Sequence, residues 1–372
     1  MAHVKIPTVC RSLASKVVFI RAISMDSKVL IHFHIPEPDV GGAEVHALSL
    51  WKHIDRSRFE ISISAPPMRS EFKWFEDEIR RVTPHALFTS SAEEIAQQII
   101  RIQPKVVQYY NSLGFCQALD LVPFRIPGVE LIHAKKFWAQ DITKTPKNHA
   151  RMIIGVSEDA CRFYKEYGPE SAISVRTIWN GIDTARFQTK DRPDNRSLKL
   201  LSVARLSIED KRLDDLIYYF HRFSASKHEL HLVGEGPDAD ILREFAESLG
   251  AENVHFHGFI EDPARFYHEC DVYVSLSERE GYGLSLAEAS AAGMPILAWN
   301  CGGVIDLFED GIHGIIIEDD LKILPALHQL AQDPELRNKL GARARTLASE
   351  KFDVRVMARE YEKLYSELIG SL

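Results

Sequence analysis

A strand, a glycine-containing turn and a helix follow one another between Cys270 and Ala292, and this succession strongly constrains the fold. Residues 270–275 form a short valine-rich run, which is typical of a strand buried on both faces of a parallel sheet. Residues 284–292 favour a helix, and the glycines at 281 and 283 allow the turn to approach a ligand. Strand-like and helix-like segments alternate in this way along the chain, which predicts an α/β protein with parallel sheets covered by helices.

The length of 372 residues exceeds what a single hydrophobic core usually supports, so we expect two domains of about 150 residues each. We predict an N-terminal domain over residues 26–176 and a C-terminal domain over residues 177–352, followed by a helix over residues 353–372. Residues 1–24 contain basic but no acidic side chains. We expect residues 1–25 to be an extension outside the fold.

Two glutamates, Glu280 and Glu288, lie on either side of the glycine turn. The carboxylate of Glu288, within the predicted helix, can accept hydrogen bonds from the two hydroxyls of a ribose. The unpaired amides at the start of the same helix favour a phosphate. The alternative is a solvated helix whose glutamate is stabilised only by the helix dipole.

Two cations lie near the end of a predicted strand: Arg205 ends the strand that begins at residue 200, and Lys211 lies a few residues further on. A diphosphate that leaves during a reaction gains negative charge, and cations beside it stabilise the transition state more than the ground state. The sequence therefore indicates a site for a leaving diphosphate. The alternative is that both are ordinary surface cations.

The spacing of Glu280 and Glu288, with seven residues between them, resembles the hallmark of glycosyltransferase family 4, whose members are retaining enzymes with the GT-B fold. Arg205 and Lys211 resemble the pair of cations with which this family holds the donor diphosphate. The resemblance covers most of residues 26–372 and is most specific in the second half of the chain.

Further motifs of this family lie around the carboxylates. Gly258 and Phe259 resemble the Gly-Phe turn beside the nucleoside base, and Gly302 and Gly303 resemble a Gly-Gly turn of the family. Three residues depart from the family pattern. Asp306 replaces the usual glutamate, and Ala204 and Arg212 replace glycines next to the two cations, which also have one extra residue between them.

The first half of the chain carries fewer motifs. Gly41 and Gly42 resemble the family's Gly-Gly-x-Glu loop, whose helix N-terminus can bind a phosphate of the donor. Residues 131–134 resemble a strand that ends in a histidine next to the reacting sugar. The resemblance thus makes His133 the candidate for that place, whereas a structural histidine is the alternative.

The resemblance implies a retaining glycosyltransferase that moves a sugar from a nucleoside diphosphate sugar to a hydroxyl of a glycan, a lipid-linked acceptor or a small molecule. It implies two Rossmann-like, doubly wound domains facing a central cleft, with the C-terminal helix crossing back to the first domain. Neither a metal ion nor a cofactor is expected, and a role in surface polysaccharide or glycoconjugate biosynthesis is expected. The implied catalytic residues are His133, Arg205, Lys211 and Glu280. The implied donor-binding residues are Gly41, Gly42, Arg205, Lys211, Gly258, Phe259, Glu280, Gly281, Tyr282, Gly283, Leu284 and Glu288.

Two other functions remain open at this point. A sugar-nucleotide 2-epimerase of GT-B fold would convert the donor without an acceptor. A non-catalytic protein that binds sugar nucleotides or glycans is the second alternative, because Ala204 and Arg212 alter the predicted phosphate loop. The sequence does not identify the donor base, the sugar, the acceptor or the oligomeric state.

The net charge of −8 argues against a nucleic-acid-binding protein, which needs a basic face. No run of about 20 apolar residues is available to cross a bilayer. We therefore expect a cytoplasmic protein, with peripheral contact at the inner face of the membrane as an alternative use of one basic cluster. That cluster comprises Lys135, Lys136, Lys144, Lys147 and Arg151, with the aromatics Phe137 and Trp138.

Histidines spaced by two residues, at 32 and 34 and at 255 and 257, share a strand face but have no evident third metal ligand. The five cysteines show no paired spacing, which fits a reducing compartment. The turn at residues 233–237 lacks the third glycine of a dinucleotide-binding motif and is interpreted as a strand-end turn.

Overall fold

The computed structural model describes residues 28–38, 40–110, 112–132, 149–168, 173–187, 197–224 and 227–370. Within these residues the chain forms one seven-stranded and one six-stranded sheet, and every strand pairing in both sheets is parallel. Within the described ranges, helices follow most of the strands. The predicted α/β architecture with two doubly wound sheets is confirmed.

The first sheet has the strand order β3-β2-β1-β4-β5-β6-β7. Because the order reverses between β1 and β4, their carboxyl ends border a crevice. The strands are β1 (Val29–His34), β2 (Phe59–Ala65), β3 (Ala86–Phe88), β4 (Val106–Tyr110), β5 (Gly128–Ile132), β6 (Ala150–Gly155) and β7 (Ser174–Thr177). The helices are α1 (Gly42–His53), α2 (Lys73–Val82), α3 (Ala92–Ile102), α4 (Leu113–Asp120) and α5 (Glu158–Tyr167).

The second sheet has the order β10-β9-β8-β11-β12-β13 and reverses between β8 and β11. Its strands are β8 (Lys199–Val203), β9 (Glu229–Val233), β10 (Val254–Phe256), β11 (Val272–Ser275), β12 (Ile296–Trp299) and β13 (Gly314–Ile317). Its helices are α6 (Ile208–Lys211), α7 (Leu213–Ser224), α8 (Ala239–Ser248), α9 (Ala264–Glu269), α10 (Leu284–Ala291), α11 (Gly302–Leu307), α12 (Ile323–Gln332) and α13 (Pro334–Leu347).

Local sequence explains where several helices begin. Ser91, Ser112 and Ser157 precede α3, α4 and α5, and each side-chain hydroxyl accepts a hydrogen bond from the amide three residues further on. This capping satisfies one of the amides that a helix leaves unpaired at its start. The strands between the helices are largely buried on both faces, as their apolar runs predict.

The two sheets are joined by two strand-like segments that run side by side. The amide of Ile182 donates to the carbonyl of Phe352 (2.8 Å), and the amide of Val354 donates to the carbonyl of Ile182 (2.8 Å). A Cβ atom on Gly181 would lie 2.5 Å from the Cα of Val354. A glycine is therefore required at 181 for the two segments to pass this closely.

The last helix, α14 (Val354–Gly370), packs on the first sheet, as the resemblance implied. Its side chains Tyr361 and Tyr365 are fully buried in the same core as Phe33 and Phe59. The phenol of Tyr365 donates a hydrogen bond of 2.5 Å to Oε1 of Gln108 on β4. The end of the chain thus completes the core of the domain that contains its beginning.

We expect Tyr365→Ala to lower the free energy of unfolding of this domain by about 3 kcal/mol or more, because a buried aromatic side chain leaves a cavity. Tyr365→Phe removes only the hydrogen bond to Gln108 and should cost about 1–3 kcal/mol. Urea unfolding of both variants measures the difference. Lys363→Ala on the exposed face of the same helix is the control, and an equal loss there would contradict the assigned packing.

Candidate active site

The candidate residues of the second domain lie where its sheet reverses direction. Arg205 follows β8 by two residues and Glu280 follows β11 by five, and these two strands are hydrogen-bonded neighbours. Both side chains therefore project from loops at the carboxyl ends of adjacent parallel strands. In open α/β sheets this crevice is where ligands usually bind.

Ion pairs join the two loops. Nζ of Lys211 lies 2.7 Å from Oε2 of Glu280, and these side chains are only 17% and 18% exposed. The guanidinium of Arg279 donates to Asp210 and to Glu209, at 3.0 Å in each case. We call residues 209–211 and 278–280 with these contacts the loop clamp. The amide of residue 278 also donates to the carbonyl of Asp210 (3.1 Å).

Arg205 contacts the loop clamp through Asp210, whose Oδ2 lies 2.9 Å from the guanidinium. The Arg205 side chain is 60% exposed. It therefore projects into solvent at the crevice, with Asp210 orienting it. Because Asp210 pairs with both Arg205 and Arg279, one carboxylate links the predicted phosphate cation to the loop that contains Glu280.

Arg212 occupies a position where the resembled family usually has glycine. Its backbone has a conformation that glycine adopts more easily than other residues. Its φ of 48° lies in the left-handed region, which is strained for most side chains. The side chain compensates, since the guanidinium contacts Asp215 (2.7 Å) and Asp320 (2.6 Å) and lies over the ring of Trp299 (4.3 Å). The predicted lysine loop is therefore kept in its turn without a glycine.

The glycine turn leads directly into α10. Gly283 caps this helix with a φ of 84°, and no side chain caps the first amides. Tyr282 is buried and stacks edge-on against Phe352, so the turn offers its backbone and not this side chain. The buried Tyr273 also contacts the first turn of α10, because its phenol donates a hydrogen bond to Oγ of Ser285 (2.7 Å).

The Gly-Gly turn at the start of α11 packs against the glycine turn. The amide of Gly303 donates to the carbonyl of Glu280 (2.9 Å), and a Cβ atom on Gly303 would lie 2.7 Å from that oxygen. A Cβ on Gly302 would lie 2.1 Å from Oδ2 of Asp159 in the first domain. These two glycines thus allow the Glu280 loop and helix α5 to approach α11 closely.

Glu288 lies one turn inside α10 and is held by Tyr267. The buried phenol of Tyr267 donates to Oε2 of Glu288 at 2.6 Å. Burial of the carboxyl raises the pKa of Glu288 to about 7, although the hydrogen bond from Tyr267 and the charge of Arg186 oppose this shift. The ionised form is therefore poorly solvated and favours further hydrogen-bond donors.

The turn after β9 supports the loop that carries Arg205. Gly234 has a φ of 138°, and a Cβ there would lie 1.9 Å from the carbonyl oxygen of Ala204. The amide of Leu206 donates to the carbonyl of residue 235 (2.9 Å). Residues 233–237 therefore form the strand-end turn that the sequence predicted. The amide of Gly234 in turn donates to the carbonyl of Gly258 (2.8 Å), which places the Gly-Phe turn next to it.

Residues of the first domain face this site. A Cβ on Gly42, at the start of α1, would lie 3.4 Å from Cδ1 of Leu284, the first residue of α10. Phe259, which is 49% exposed, meets Phe72 edge-on with ring centroids 6.4 Å apart. The Gly-Gly loop of the first half and the motifs of the second half are therefore brought together.

Asp306 also joins the two domains. Its carboxylate accepts a hydrogen bond from the amide of Asp159 (2.6 Å) and pairs with Arg162 (3.1 Å), both on α5. The residue that departs from the family pattern thus makes a structural contact between the domains.

His133 and all of the predicted basic cluster except Arg151 lie outside the described residues. The candidate role of His133 therefore stays a prediction. Arg151 lies in β6 and is exposed.

The histidine pairs considered for a metal have other partners. His32 and His34 are buried and share hydrogen bonds with Ser64 at 3.0 and 2.9 Å, and burial lowers the pKa of both to about 3. His257 contacts His231 at 3.0 Å. Within the described part of the chain, no group of three or more histidine, cysteine or acidic residues is arranged to hold a metal ion. The described cysteines, at 116, 161, 270 and 301, are buried and form no disulfide.

Sequence reasoning did not identify Asp210, Arg279 or Tyr267. Arg279 is adjacent to Glu280, and Asp210 is adjacent to Lys211, so charge next to each candidate was visible in the sequence. Their pairing was not, because it depends on β8 and β11 being neighbours in the sheet. Tyr267 gives no sequence signal, since a tyrosine in a short helix usually packs in a core.

The sequence matches a known protein family over residues 183–347, and the family is described as glycosyl transferases group 1. N-acetyl-alpha-D-glucosaminyl L-malate synthase of Bacillus anthracis is 28% identical over 206 residues, which cover 52% of this chain and 54% of that protein. Alpha-monoglucosyldiacylglycerol synthase of Acholeplasma laidlawii is 30% identical over 173 residues, covering 45% and 43%. The chain thus spans about half the length of these curated relatives.

Solved structures share the fold. Anabaena HepE, solved in complex with UDP-glucose, superposes with a TM-score of 0.78 at 19% identity, covering 92% of this chain and 100% of HepE. The lipopolysaccharide outer core galactosyltransferase WaaB superposes with a TM-score of 0.70 at 17% identity, covering 91% and 99%. The fold is the GT-B fold, as the resemblance implied.

We expect Glu288→Gln to change how stability depends on pH. Because the folded protein keeps the Glu288 proton up to about pH 7, this group stabilises the fold below its unfolded pKa, and the contribution is lost as pH rises through 7. The thermal midpoint of the variant relative to the original protein should therefore rise between pH 5 and pH 8. The exposed Glu360→Gln is the control. The same offset for Glu288→Gln at both pH values would contradict the raised pKa.

Proposed function

We propose that this chain, whose residues 183–347 belong to the glycosyl transferases group 1 family, transfers a sugar from a nucleoside diphosphate sugar to a hydroxyl acceptor. The observation that carries the proposal is the pairing of Lys211 with Glu280 at 2.7 Å beside the N-terminus of α10. A cation, a carboxylate and free helix amides then meet at the reversal of a parallel sheet. This combination suits a molecule that has both a diphosphate and a sugar.

The diphosphate would bind between Arg205, Lys211 and the amides of residues 281–284. Lys211 already lies against Glu280, so a phosphate that enters must share or replace this carboxylate as its partner. As the glycosidic bond breaks, charge grows on the leaving phosphate and its attraction to both cations increases. The cations therefore stabilise the transition state more than the bound donor.

The nucleoside would bind further along α10. Glu288 is partly buried and ionises reluctantly, so two ribose hydroxyls would replace the solvent that its carboxylate lacks. The base would lie near Gly258 and Phe259, where Phe72 of the first domain contacts Phe259 across the cleft. The base would then be contacted mainly by backbone atoms. Backbone contacts leave no side-chain motif, which agrees with the sequence not identifying the donor base.

Transfer would proceed with retention, and the leaving phosphate would help to remove the proton of the acceptor hydroxyl on the same face of the sugar. Glu280 would position the sugar, and His133 would lie beside it. Names of two matching proteins support alpha-configured transfer, namely a GDP-mannose-dependent alpha-mannosyltransferase of Corynebacterium glutamicum and the alpha-monoglucosyldiacylglycerol synthase. We propose no metal-dependent step.

The acceptor would bind to the first domain and belong to surface polysaccharide or glycoconjugate synthesis. The matching proteins include a capsular polysaccharide biosynthesis glycosyltransferase of Staphylococcus aureus and an alpha-mannosyltransferase that acts on cellobiosyl-diphosphopolyprenol. None of the described helices is long and apolar enough to cross a membrane. We propose a cytoplasmic enzyme that reaches any lipid-linked acceptor from the membrane surface.

A thermal-shift panel with UDP, GDP, ADP, CDP and NAD at millimolar concentration tests the donor site. A ligand at 100 times its dissociation constant stabilises by about 2.7 kcal/mol, which shifts the midpoint by several degrees. We expect one nucleoside diphosphate to do so, and it would identify the donor base. A response to NAD alone would overturn the proposal. Conversion of the sugar nucleotide without an acceptor would indicate an epimerase, and binding without turnover would indicate a non-catalytic protein.

We expect Lys211→Ala and Glu280→Ala each to lower kcat by about 100-fold or more, because each removes a preorganised charge at the reacting centre. Turnover with the donor found in the panel measures the effect. The exposed Lys339→Ala in α13 is the matched control and should keep normal turnover. Near-normal kcat in both site variants would contradict the assignment of Lys211 and Glu280 to the active site.

A further inference from the structure

A cavity separate from the candidate active site lies at the end of the first sheet where β1 and β2 begin. It has a volume of about 630 Å³ and is bordered by Lys28, which precedes β1, and by the first residues of β2. The end of α1 and the segment between α2 and β3 complete its wall. Because these elements meet at the amino ends of the strands, the cavity lies across the sheet from the carboxyl ends that form the candidate active site. Its size is within the roughly 300–1,000 Å³ usual for small-molecule sites.

The charge of the wall favours an anion. The cavity is lined by four cationic side chains, Lys28, Lys52, Arg56 and Arg81, and by the single carboxylate of Glu60. Lys52 and Arg81 each also contact a second carboxylate, Glu78, at the rim. Among the described residues, Lys28 and Arg56 have no carboxylate partner at ion-pair distance, so the cavity keeps an excess of positive charge.

Arg56 is oriented towards multiple contacts. One Nη2 hydrogen bond of 2.7 Å to the carbonyl of Val82 fixes the guanidinium at the wall, where the side chain is half-buried. A guanidinium has five N–H donors, so most remain available after this bond. A fixed planar guanidinium is well suited to bind two oxygens of a phosphate.

Trp51 forms the apolar floor of the cavity. Its side chain is fully buried in the hydrophobic core of the first domain, so it separates the cavity from that core and leaves the cations as the groups that face a ligand.

We propose that this cavity binds a phosphate group, held by Lys28, Lys52 and Arg56. The ligand class is a phosphorylated small molecule or the phosphate of a lipid headgroup, which share this chemistry. The site is separate from the donor site, since Arg205, Lys211 and Glu280 belong to the other domain. The proposal therefore stands independently of the donor assignment.

Isothermal titration with inorganic phosphate tests the site in the full-length chain. We expect Lys28→Gln with Lys52→Gln to weaken binding by about 10-fold or more, because charged hydrogen bonds are lost. The control Lys165→Gln with Lys339→Gln removes the same charge from exposed positions elsewhere. Arg205→Gln with Lys211→Gln removes the donor cations and should keep the cavity's phosphate binding.

Sedimentation with vesicles of phosphatidylglycerol, compared with phosphatidylcholine alone, identifies the source of the phosphate. Loss of vesicle binding in the cavity variants, with no binding of free phosphate by the original protein, would assign a lipid headgroup. Loss of free-phosphate binding would assign a soluble ligand. The proposal is overturned if the original protein binds neither probe, or if the cavity variants match the charge control in both experiments.

Discussion

The ion pair between Lys211 and Glu280 joins the loops after two neighbouring parallel strands, and the candidate site depends on this contact. Parallel pairing of β8 with β11 brings residues distant in sequence to one edge of the sheet. The loop clamp then fixes their relative positions, because Arg279 and Asp210 repeat the pairing one residue away with the charges reversed. Two adjacent pairs of opposite polarity resist sliding of one loop along the other, which a single surface ion pair does not.

Burial, more than the presence of charge, distinguishes the candidate groups from ordinary surface residues. Lys211 and Glu280 are mostly shielded from solvent, so their interaction is less screened than that of an exposed pair. The carboxyl of Glu288 is also desolvated, and its neighbour Tyr267 donates one hydrogen bond to a carboxylate that can accept several. Strongly perturbed carboxyls in a cleft are typical of functional sites. Because burial raises the pKa of Glu288, this carboxyl lowers the free energy of unfolding at neutral pH.

Much of the fold was predictable because it follows from local sequence. The valine-rich strands, the serine caps and the glycine turn before α10 each depend on neighbours within a few residues, and the predicted helix at 284–292 ends within one residue of the observed one. The pairing of Asp210 with Arg279, by contrast, follows from strand order. The left-handed backbone of Arg212 was not predictable either, since its compensation comes from Trp299 and Asp320, which are remote in sequence. The cavity beside Trp51 likewise requires four segments to meet, and none of them carries a motif.

The connection between the domains bears on how such a site can close. The two domains are tied by the short parallel segments at residues 181–183 and 352–354, where Asp353 accepts hydrogen bonds from Thr184 (2.5 Å) and from the guanidinium of Arg355 (2.7 Å). These contacts hold the pKa of Asp353 well below its usual range, so its charge persists at any physiological pH. At the cleft, the described contacts between the domains include those of Phe72 with Phe259 and of Asp306 with α5, and Gly42 lies beside Leu284. Rotation about the connection would change the distance between Gly42 and the amides of α10, both of which we propose to bind the donor phosphates.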